Sequence, residues 1–248
     1  MKVIGVIPAR WASTRLEGKV LAQINGKPMI QHVWERAKQS RLLEEVFVAC
    51  DDERIFDAVQ EFGAKVVMTS KEAASGTDRI AKAFKHAAAD IIINIQGDEP
   101  LIEPALIDSL AHALIEDKTC SVATAAKLIK NEADVRNPNV VKVVFDAKQS
   151  ALYFSRSVIP FNRDEKSFED IDYYKHIGIY AYRKNFLVGF NDLPESSLEK
   201  TEKLEQLRVL EAGYRIRVVE TDYDSVGVDT PEDFDRVKEL MQSEESNG

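Results

Sequence analysis

Short apolar runs alternate with helical patterns along the first half of the chain. The runs are rich in Ile and Val and end at charged or turn residues, as buried strands do; they span residues 3–7, 45–50, 65–68 and 90–95. Between the first two, apolar residues recur every three or four positions from Pro28 to Ser40, which predicts a helix. This alternation predicts an α/β fold with a doubly wound, mostly parallel sheet, whose ligands bind at the carboxyl ends of the strands.

The pattern changes after residue 130. Further strands are predicted at 137–146, 150–156 and 176–182, with a charged stretch before the last, and a single helix is predicted over 199–212. We therefore divide one compact domain into an α/β part (1–130), an inserted β-rich region (131–212), a return to the α/β part (213–242) and a tail (243–248). The tail is polar and is predicted to be disordered.

Composition and charge narrow the class of protein. The chain has 248 residues, 44% of them hydrophobic and 30% charged, which is typical of a soluble globular protein. Its net charge of −9 argues against general nucleic-acid or membrane-surface binding, because both partners are polyanions. No apolar run approaches the roughly 18 residues of a membrane span, and the chain begins directly in a strand, so we expect no membrane insertion and a cytoplasmic protein. Cys50 and Cys120 show no metal-ligand spacing and are expected to be reduced and buried.

A basic loop follows the first strand. Pro8 ends the strand, and the loop carries Arg10, Arg15 and Lys19 among the small residues Ala9, Ala12, Ser13 and Gly18. Small residues let backbone N–H groups approach an anion, and the cations can neutralise several phosphate oxygens together. The loop matches neither of the common glycine-rich phosphate motifs. Its place at the carboxyl end of a strand favours a polyphosphate site over a solvated basic loop.

The loop also carries a family resemblance. The pattern Pro-Ala-Arg-x-x-Ser-x-Arg-Leu-x-x-Lys, from Pro8 to Lys19, resembles the signature of sugar-activating cytidylyltransferases, and is most similar to the 3-deoxy-manno-octulosonate (Kdo) cytidylyltransferase, or CMP-Kdo synthetase, family. Later segments extend the resemblance over nearly the whole chain: Ser-Gly-Thr-Asp-Arg at 75–79, Asn-Pro-Asn-x-Val-Lys at 137–142, Ala-Leu-Tyr-Phe-Ser-Arg at 151–156, His-x-Gly-Ile-Tyr at 176–180 and Leu-Glu-Gln-Leu-Arg at 204–208. The resemblance implies a mixed sheet of the nucleotide-diphospho-sugar transferase type, with a nucleotide-binding α/β part. It also implies that the inserted region binds the sugar and forms the contacts of a homodimer.

The resemblance implies CTP as the nucleotide and assigns residues to it. The nucleotide-binding residues would be Ala9, Arg10, Ser13, Arg15, Lys19, Ser75, Gly76, Thr77 and Arg79. The catalytic residues would be Lys19, Arg10, Arg15 and Asp98. Without the resemblance, Ser75 or Thr77 is equally well explained as the cap of the helix that begins there.

Two aspartates are candidate metal ligands. Asp98 follows the most apolar strand, and a carboxylate beside a triphosphate is suited to hold Mg²⁺. Asp98 could instead be a turn residue before the helix that starts near Pro104, and Asp229 could cap the helix that starts at Pro231. The resemblance implies that both bind the metal, so we expect Mg²⁺ as the cofactor.

The resemblance places the sugar against residues of the later motifs. These are Gln96, Arg156, His176, Tyr180, Glu205 and Gln206. The planar fork of an Arg side chain suits a sugar carboxylate. Taken alone, His176 lies among apolar residues and would be interpreted as a core histidine.

The reaction implied is transfer of the cytidylyl group of CTP to the anomeric 2-hydroxyl of a 3-deoxy-octulosonic acid, with release of pyrophosphate, for bacterial lipopolysaccharide biosynthesis. The alternatives are an enzyme similar to CMP-sialic acid synthetases and a non-catalytic sensor of nucleotide sugars on the same fold.

Two positions depart from the family pattern. Glu17 replaces the usual Pro, and Ala73 replaces a common His. A carboxylate at position 17 would weaken anion binding unless it points away or meets a positive group. The sequence also resembles a variant of the family that activates the 8-amino-8-deoxy form of Kdo, whose amino group could be such a positive group. This resemblance makes Glu17 and Ala73 specificity candidates for the amino sugar, with loss of affinity or neutral drift as the alternatives.

Overall fold

The computed structural model describes the backbone of residues 1–12 and 17–247, and their side chains as far as residue 243. The chain separates into two compact units, Met1–Asp108 with Ser225–Gly248, and Ser109–Asp224. Parallel strands connected by helices build the first unit, and mixed pairing characterises the second. The predicted mixed α/β fold with a mostly parallel sheet is confirmed.

The first unit contains a parallel sheet with helices between its strands. The strands of this unit are β1 (Val3–Ala9), β2 (Gln23–Ile24), β3 (Lys27–Pro28), β4 (Glu45–Cys50), β5 (Lys65–Met68) and β6 (Ile91–Asn94). Of these, β2 and β3 form a separate antiparallel pair. Its helices are α1 (Met29–Ala37), α2 (Glu53–Glu61), α3 (Gly76–Ala83) and the first turns of α4 (Pro104–Glu116). β1 pairs in parallel with β6 and with β4, and β4 pairs with β5. The carboxyl ends of these strands therefore lie along one edge.

Local sequence accounts for these elements. The Ile and Val side chains of β1 and β6 are buried, as expected for a parallel sheet that is covered on both faces. The side chain of Asp52 accepts a hydrogen bond from the N–H of Arg54 and caps α2, and Ser75 caps α3 in the same way through Asp78. The start of α3 therefore agrees with the cap that the sequence offered at Ser75.

The second unit is centred on β7 (Val122–Leu128). Its other strands are β8 (Lys142–Phe145), β9 (Ala151–Ser155), β10 (Tyr174–Arg183) and β11 (Ile216–Glu220), and its helices are α5 (Glu132–Arg136), α6 (Lys184–Gly189), α7 (Ser197–Glu202) and α8 (Gln206–Glu211). β11 pairs in parallel with β7, and β10 pairs antiparallel with it. β8 joins β10 to β9 through antiparallel pairs. After this unit the chain ends in α9 (Pro231–Asn247).

The predicted single helix over 199–212 is wrong, because α7 and α8 replace it. Ser196 and Glu199 form a reciprocal capping box that starts α7, and Lys203 ends it in the left-handed conformation with φ of 56°. Buried Leu204 and Leu207 both follow Lys203, so their helical spacing does not reveal the break that precedes them.

Two further findings concern the predicted tail and the membrane. α9 continues to Asn247 and so includes residues 243–247, for which the sequence predicted disorder. Within residues 1–12 and 17–247, no helix is both long enough and apolar enough to cross a membrane.

Candidate active site

A cavity of about 370 Å³ lies in the first unit at the carboxyl ends of β1 and β6. It is lined by Pro8, Arg10, Ala12, Lys19, Val20, Gly76, Gln96, Gly97 and Asp98. The basic loop, the first turn of α3 and the turn after β6 thus meet where the alternation of strands and helices predicted a ligand site. Ser13 and Arg15 lie outside the described residues.

Close backbone packing forms one wall of this cavity. A Cβ atom at Gly97 would lie 3.0 Å from the carbonyl oxygen of Pro8, and one at Gly76 would lie 3.3 Å from the Pro8 ring. Ala9, at the end of β1, is buried at 1% exposure. Small residues therefore allow the ends of β1 and β6 and the start of α3 to approach one another.

The ammonium group of Lys19 connects two carboxylates. Its Nζ atom donates hydrogen bonds to Asp98 Oδ2 at 2.7 Å, to Asp229 Oδ1 at 3.0 Å and to the carbonyl oxygen of Val228 at 2.8 Å. The N–H of Val228 donates in turn to the carbonyl oxygen of Asp98 at 2.9 Å. Burial lowers the pKa of Lys19, but the charges and hydrogen bonds of Asp98 and Asp229 outweigh burial and raise the pKa above its ordinary value. Lys19 is therefore a cation at neutral pH.

The same oxygens have the chemistry of a magnesium site. Two carboxylates and one main-chain carbonyl already converge on a single positive charge, and oxygen atoms are the ligands that Mg²⁺ prefers. In the described part of the chain there is no group of three or more His, Cys, Asp or Glu side chains that could hold a metal ion. Water or phosphate oxygens would have to complete the coordination of a cation bound to Asp98 and Asp229.

Arg79 lies beneath the cavity and does not line it. Its side chain is 1% exposed; Nη2 donates to Asp51 Oδ2 at 2.8 Å, and Nη1 donates to the hydroxyl of Thr69. Asp51 Oδ1 also accepts from the N–H of Trp11 at 3.0 Å. Arg79 thereby connects α3 to the basic loop through Asp51, and Thr77 beside it is also buried. Sequence reasoning did not identify Asp51 as part of the site.

Glu17 has partners within the chain. Its Oε1 atom accepts a hydrogen bond from the indole Nε1 of Trp11 at 2.7 Å. The guanidinium of Arg54 lies over the Trp11 ring, 3.4 Å from its centroid. The pKa of Arg54 is raised chiefly by its hydrogen bond to Asp52, with a smaller contribution from the charge of Glu17. Glu17 therefore meets both a hydrogen-bond donor and a positive group at the edge of the loop. Ala73, the second departure from the family pattern, is buried at 8% exposure.

In the second unit the structure brings His176 and Tyr180 together. Their ring centroids are 5.4 Å apart, on either side of an irregularity in β10. A hydrogen bond of 2.9 Å joins His176 Nε2 to the hydroxyl of Thr124. Burial lowers the pKa of His176 to about 3 and raises that of Tyr180 well above its ordinary value. Both rings are therefore neutral at physiological pH and are suited to hydrogen bonding.

Arg156 is held by main-chain oxygens. Its Nε atom donates to the carbonyl of Glu202 at 2.8 Å, and Nη1 donates to the carbonyl of Pro138 at 3.0 Å. The carboxylate of Glu202 accepts from the hydroxyl of Ser155 at 2.6 Å and from the N–H of Arg156 at 2.9 Å. Two of the three guanidinium nitrogens of Arg156 thus join β9 to neighbouring segments.

Gln206 has a buried donor that no group of the described residues uses. Its side chain is 6% exposed, and among the described residues its buried Nε2 atom has no hydrogen-bond partner. A buried donor without a partner costs free energy, about 1–3 kcal/mol, and is commonly satisfied by water or a ligand. Glu205 precedes it at the start of α8.

Comparison with known proteins gives a consistent family. The model of a family described as Cytidylyltransferase matches residues 4–216. Proteins named 3-deoxy-manno-octulosonate cytidylyltransferase from Solibacter usitatus (strain Ellin6076) and Geotalea daltonii are 51% and 52% identical, over 98% of this chain and 95% and 99% of theirs. A solved structure of CMP:2-keto-3-deoxy-manno-octonic acid synthetase complexed with CTP aligns with a TM-score of 0.94 and 47% identity, over 98% of this chain and 100% of that one.

Proposed function

The chain belongs to the cytidylyltransferase family, within the group named 3-deoxy-manno-octulosonate cytidylyltransferases, and from this we propose that it transfers the cytidylyl group of CTP to Kdo. The products are CMP-Kdo and pyrophosphate, and the activated sugar is a precursor of bacterial lipopolysaccharide. The observation that carries the proposal is the meeting of a basic loop with Asp98 in one cavity at the strand ends, where Lys19 also binds Asp229.

The chemistry is a displacement at the α-phosphorus of CTP. The 2-hydroxyl oxygen of the sugar forms the new bond to phosphorus, the bond to the β-phosphate oxygen breaks, and pyrophosphate leaves with the electron pair while the hydroxyl proton is lost to solvent. Such a reaction requires positioning and charge stabilisation more than covalent chemistry from the protein. Arg10 and Lys19 line the cavity and supply positive charge for the triphosphate and the departing pyrophosphate.

Asp98 and Asp229 would hold Mg²⁺ in this reaction. The convergence of their oxygens on one ammonium group supports this assignment. The cation, when bound, offsets charge on the phosphates and makes the sugar hydroxyl more acidic. Ser75 and Gly76, at the start of α3, are placed to present backbone donors to the nucleotide, while buried Arg79 positions them.

The second unit supplies polar groups for the sugar. The proposed contacts are the neutral His176 and Tyr180 pair and the unused amide donor of Gln206. Arg156, which is held by carbonyl oxygens, shapes the segment between β9 and α7 and has one guanidinium nitrogen left for a carboxylate. Gln96 lines the cavity of the first unit and is a further candidate.

We also propose that the second unit carries a homodimer contact. Phe161 is 83% exposed and Leu152 is 62% exposed, and Phe161 and Val158 line a cavity of about 430 Å³ together with Phe168. Large exposed apolar side chains in one region mark interaction surfaces. A Phe161→Glu variant should be monomeric in sedimentation velocity; a dimer of unchanged stability would place the contact elsewhere.

Since CTP is made and used in the cytoplasm, we place the reaction there.

Pyrophosphate release by the purified protein tests the function. The assay contains CTP and Mg²⁺ and compares Kdo, 8-amino-8-deoxy-Kdo and sialic acid. Release that depends on Kdo supports the proposal, and preference for the amino sugar changes the substrate but not the reaction. Turnover of sialic acid alone would assign the chain to the sialic acid enzymes, and no turnover with any sugar would favour a sensor.

A further inference from the structure

The position proposed for the metal is filled by a side chain of the protein. Lys19 Nζ lies within 3.0 Å of Asp98 Oδ2, Asp229 Oδ1 and the Val228 carbonyl oxygen. Mg²⁺ binds oxygen at about 2.0–2.1 Å, so a metal ion held by these oxygens would stand where the ammonium group stands. A metal ion and an ammonium group bound to the same oxygens would also repel each other strongly. The same oxygens cannot hold both at once.

We propose that Lys19 occupies the metal position as a resident cation until CTP arrives, and that its transfer to the phosphates of CTP admits the divalent cation. This inference rests on the proposed function, because it takes CTP and Mg²⁺ as the ligands of the cavity. Lys19 then has two successive partners, the aspartates in the empty site and the polyphosphate in the loaded one.

The surroundings of Lys19 allow this transfer. Its side chain is 13% exposed and lines the cavity, on a short 3₁₀ segment (Lys19–Leu21) that follows Gly18. A lysine ammonium on a four-carbon stem can move several ångströms by rotation about its side-chain bonds. The triphosphate brings several negative charges into the cavity, which compete with the aspartates for the ammonium.

The arrangement also explains how the empty site is stabilised. Asp98 and Asp229 point at one position, and without a cation between them their charges would repel. Lys19 removes this repulsion, so the nucleotide-free protein needs no metal. We therefore expect weak divalent-cation binding before CTP binds, and ordered loading of nucleotide and metal.

Manganese binding to the nucleotide-free protein tests the inference. Free Mn²⁺ is measured by electron paramagnetic resonance during titration of wild type, Lys19→Met and Lys19→Gln. Removal of the ammonium removes a cation that competes for the same oxygens and repels the divalent ion, so Mn²⁺ binding should tighten by about tenfold or more. Lys85→Met is the matched control, because it removes the same charge from an exposed position of the same unit and should leave Mn²⁺ affinity unchanged.

A second substitution establishes where the new ion binds. Asp98→Asn added to Lys19→Met should abolish the gain in affinity. Thermal melting with and without Mg²⁺ detects metal binding through its effect on stability. Mg²⁺ should raise the melting temperature of Lys19→Met more than that of wild type. Cooperative melting also shows that the variants are folded.

Two outcomes would overturn the inference. In the first, neither Lys19→Met nor Lys19→Gln binds Mn²⁺ more tightly than wild type does. In the second, Lys19→Met binds Mn²⁺ more tightly, and this gain in affinity persists when Asp98→Asn is added. The titration uses no sugar and no turnover, so it is separate from the pyrophosphate assay. If wild type released no pyrophosphate but Lys19→Met bound Mn²⁺ tightly, the proposed function would be rejected. The inference that Lys19 occupies the metal position would still hold.

Discussion

Lys19 in the first unit and Lys142 in the second each donate three hydrogen bonds, yet they play different parts. The partners of Lys19 are two carboxylates and one carbonyl. Those of Lys142 are the carbonyl oxygens of Asn137, Val140 and Arg156, at 3.0, 2.7 and 2.7 Å. The number of bonds is the same, but the charge of the acceptors differs.

This difference is visible in the pKa values. Burial, followed by the charge of Arg156, lowers the pKa of Lys142, whereas the aspartates raise that of Lys19. Lys142 is 0% exposed and holds the turn before β8 against the end of β9, so no ligand can exchange with its partners. Lys19 faces a cavity, where anions can compete for it. A lysine in a family motif can therefore stabilise the fold or bind a ligand. Which role it has depends on its hydrogen-bond acceptors and on whether a ligand can reach it.

The largest effect is expected from removing the negative charge of Asp98, a partner of Lys19. Asp98→Asn should lower kcat/KM for CTP by roughly 10³-fold, because it removes a proposed ligand of the metal that offsets phosphate charge. Thermal stability should change little, since Asp229 and Val228 still bind Lys19. Steady-state pyrophosphate release measures the effect. Asp90→Asn, which alters an exposed carboxylate at the opposite end of β6, is the control; similar activity in both variants would contradict the role of Asp98.

The opposite pattern is expected at Lys142. Lys142→Met leaves three carbonyl oxygens without their donor and should lower the free energy of unfolding by about 3 kcal/mol in urea denaturation. The KM for CTP of the folded fraction should be unchanged. Lys148→Met, at an exposed turn position, is the matched control. A stable Lys142→Met protein with impaired nucleotide binding would reverse the comparison between the two lysines.

A smaller effect concerns pH and His176. The folded protein holds this imidazole neutral with a pKa of about 3, while the unfolded chain takes up a proton near pH 6.5. This contribution to stability is present above pH 6.5 and is lost progressively as pH falls towards 3, about 1 kcal/mol of it between pH 7.5 and 5.5. The pH dependence of urea unfolding should therefore be shallower in His176→Phe. Equal slopes in the two proteins would show that His176 is protonated in the fold.

The elements that depend on local sequence were predictable, and those that depend on distant partners were not. β4, β5 and the cap at Ser75 match the structure because apolar runs and capping side chains act within a few residues. The break at Lys203 was missed because it depends on the left-handed conformation of a lysine, which the apolar spacing of Leu204 and Leu207 after it does not reveal.

The same distinction applies to the candidate site. The meeting of Lys19, Asp98 and Asp229 follows from their places after strands and from the family resemblance. Arg79 was assigned to the nucleotide because its motif lies at a helix start, whereas its burial depends on Asp51 and Thr69, which come from the ends of other strands. A motif identifies such residues, but only the packed structure shows whether a side chain faces the cavity or lies beneath it.

The smallest effect is expected at Glu17, where the sequence raised the question of an amino sugar. Glu17→Gln keeps an oxygen that can accept from Trp11 and removes the charge, so the KM for CTP should change less than about threefold. The ratio of kcat/KM for Kdo and 8-amino-8-deoxy-Kdo should also stay constant, because Trp11 already occupies an oxygen of the carboxylate and the positive charge of Arg54 acts on it.

Trp11 supplies the control for this experiment. Trp11 and Trp34 are the two tryptophans of the chain, so a Trp34→Phe background makes fluorescence report on Trp11 alone. Glu17→Gln should shift that signal, which confirms that the Trp11 and Glu17 contact exists in solution, while Glu44→Gln, at an exposed carboxylate elsewhere in the unit, should not. A different outcome is possible: wild type prefers the amino sugar, Glu17→Gln does not, and Trp11 fluorescence is the same in both proteins. That result would mean that Glu17 contacts the sugar instead of the indole. Glu17 would then determine specificity, and its charge, like that of Asp98, would act on a ligand.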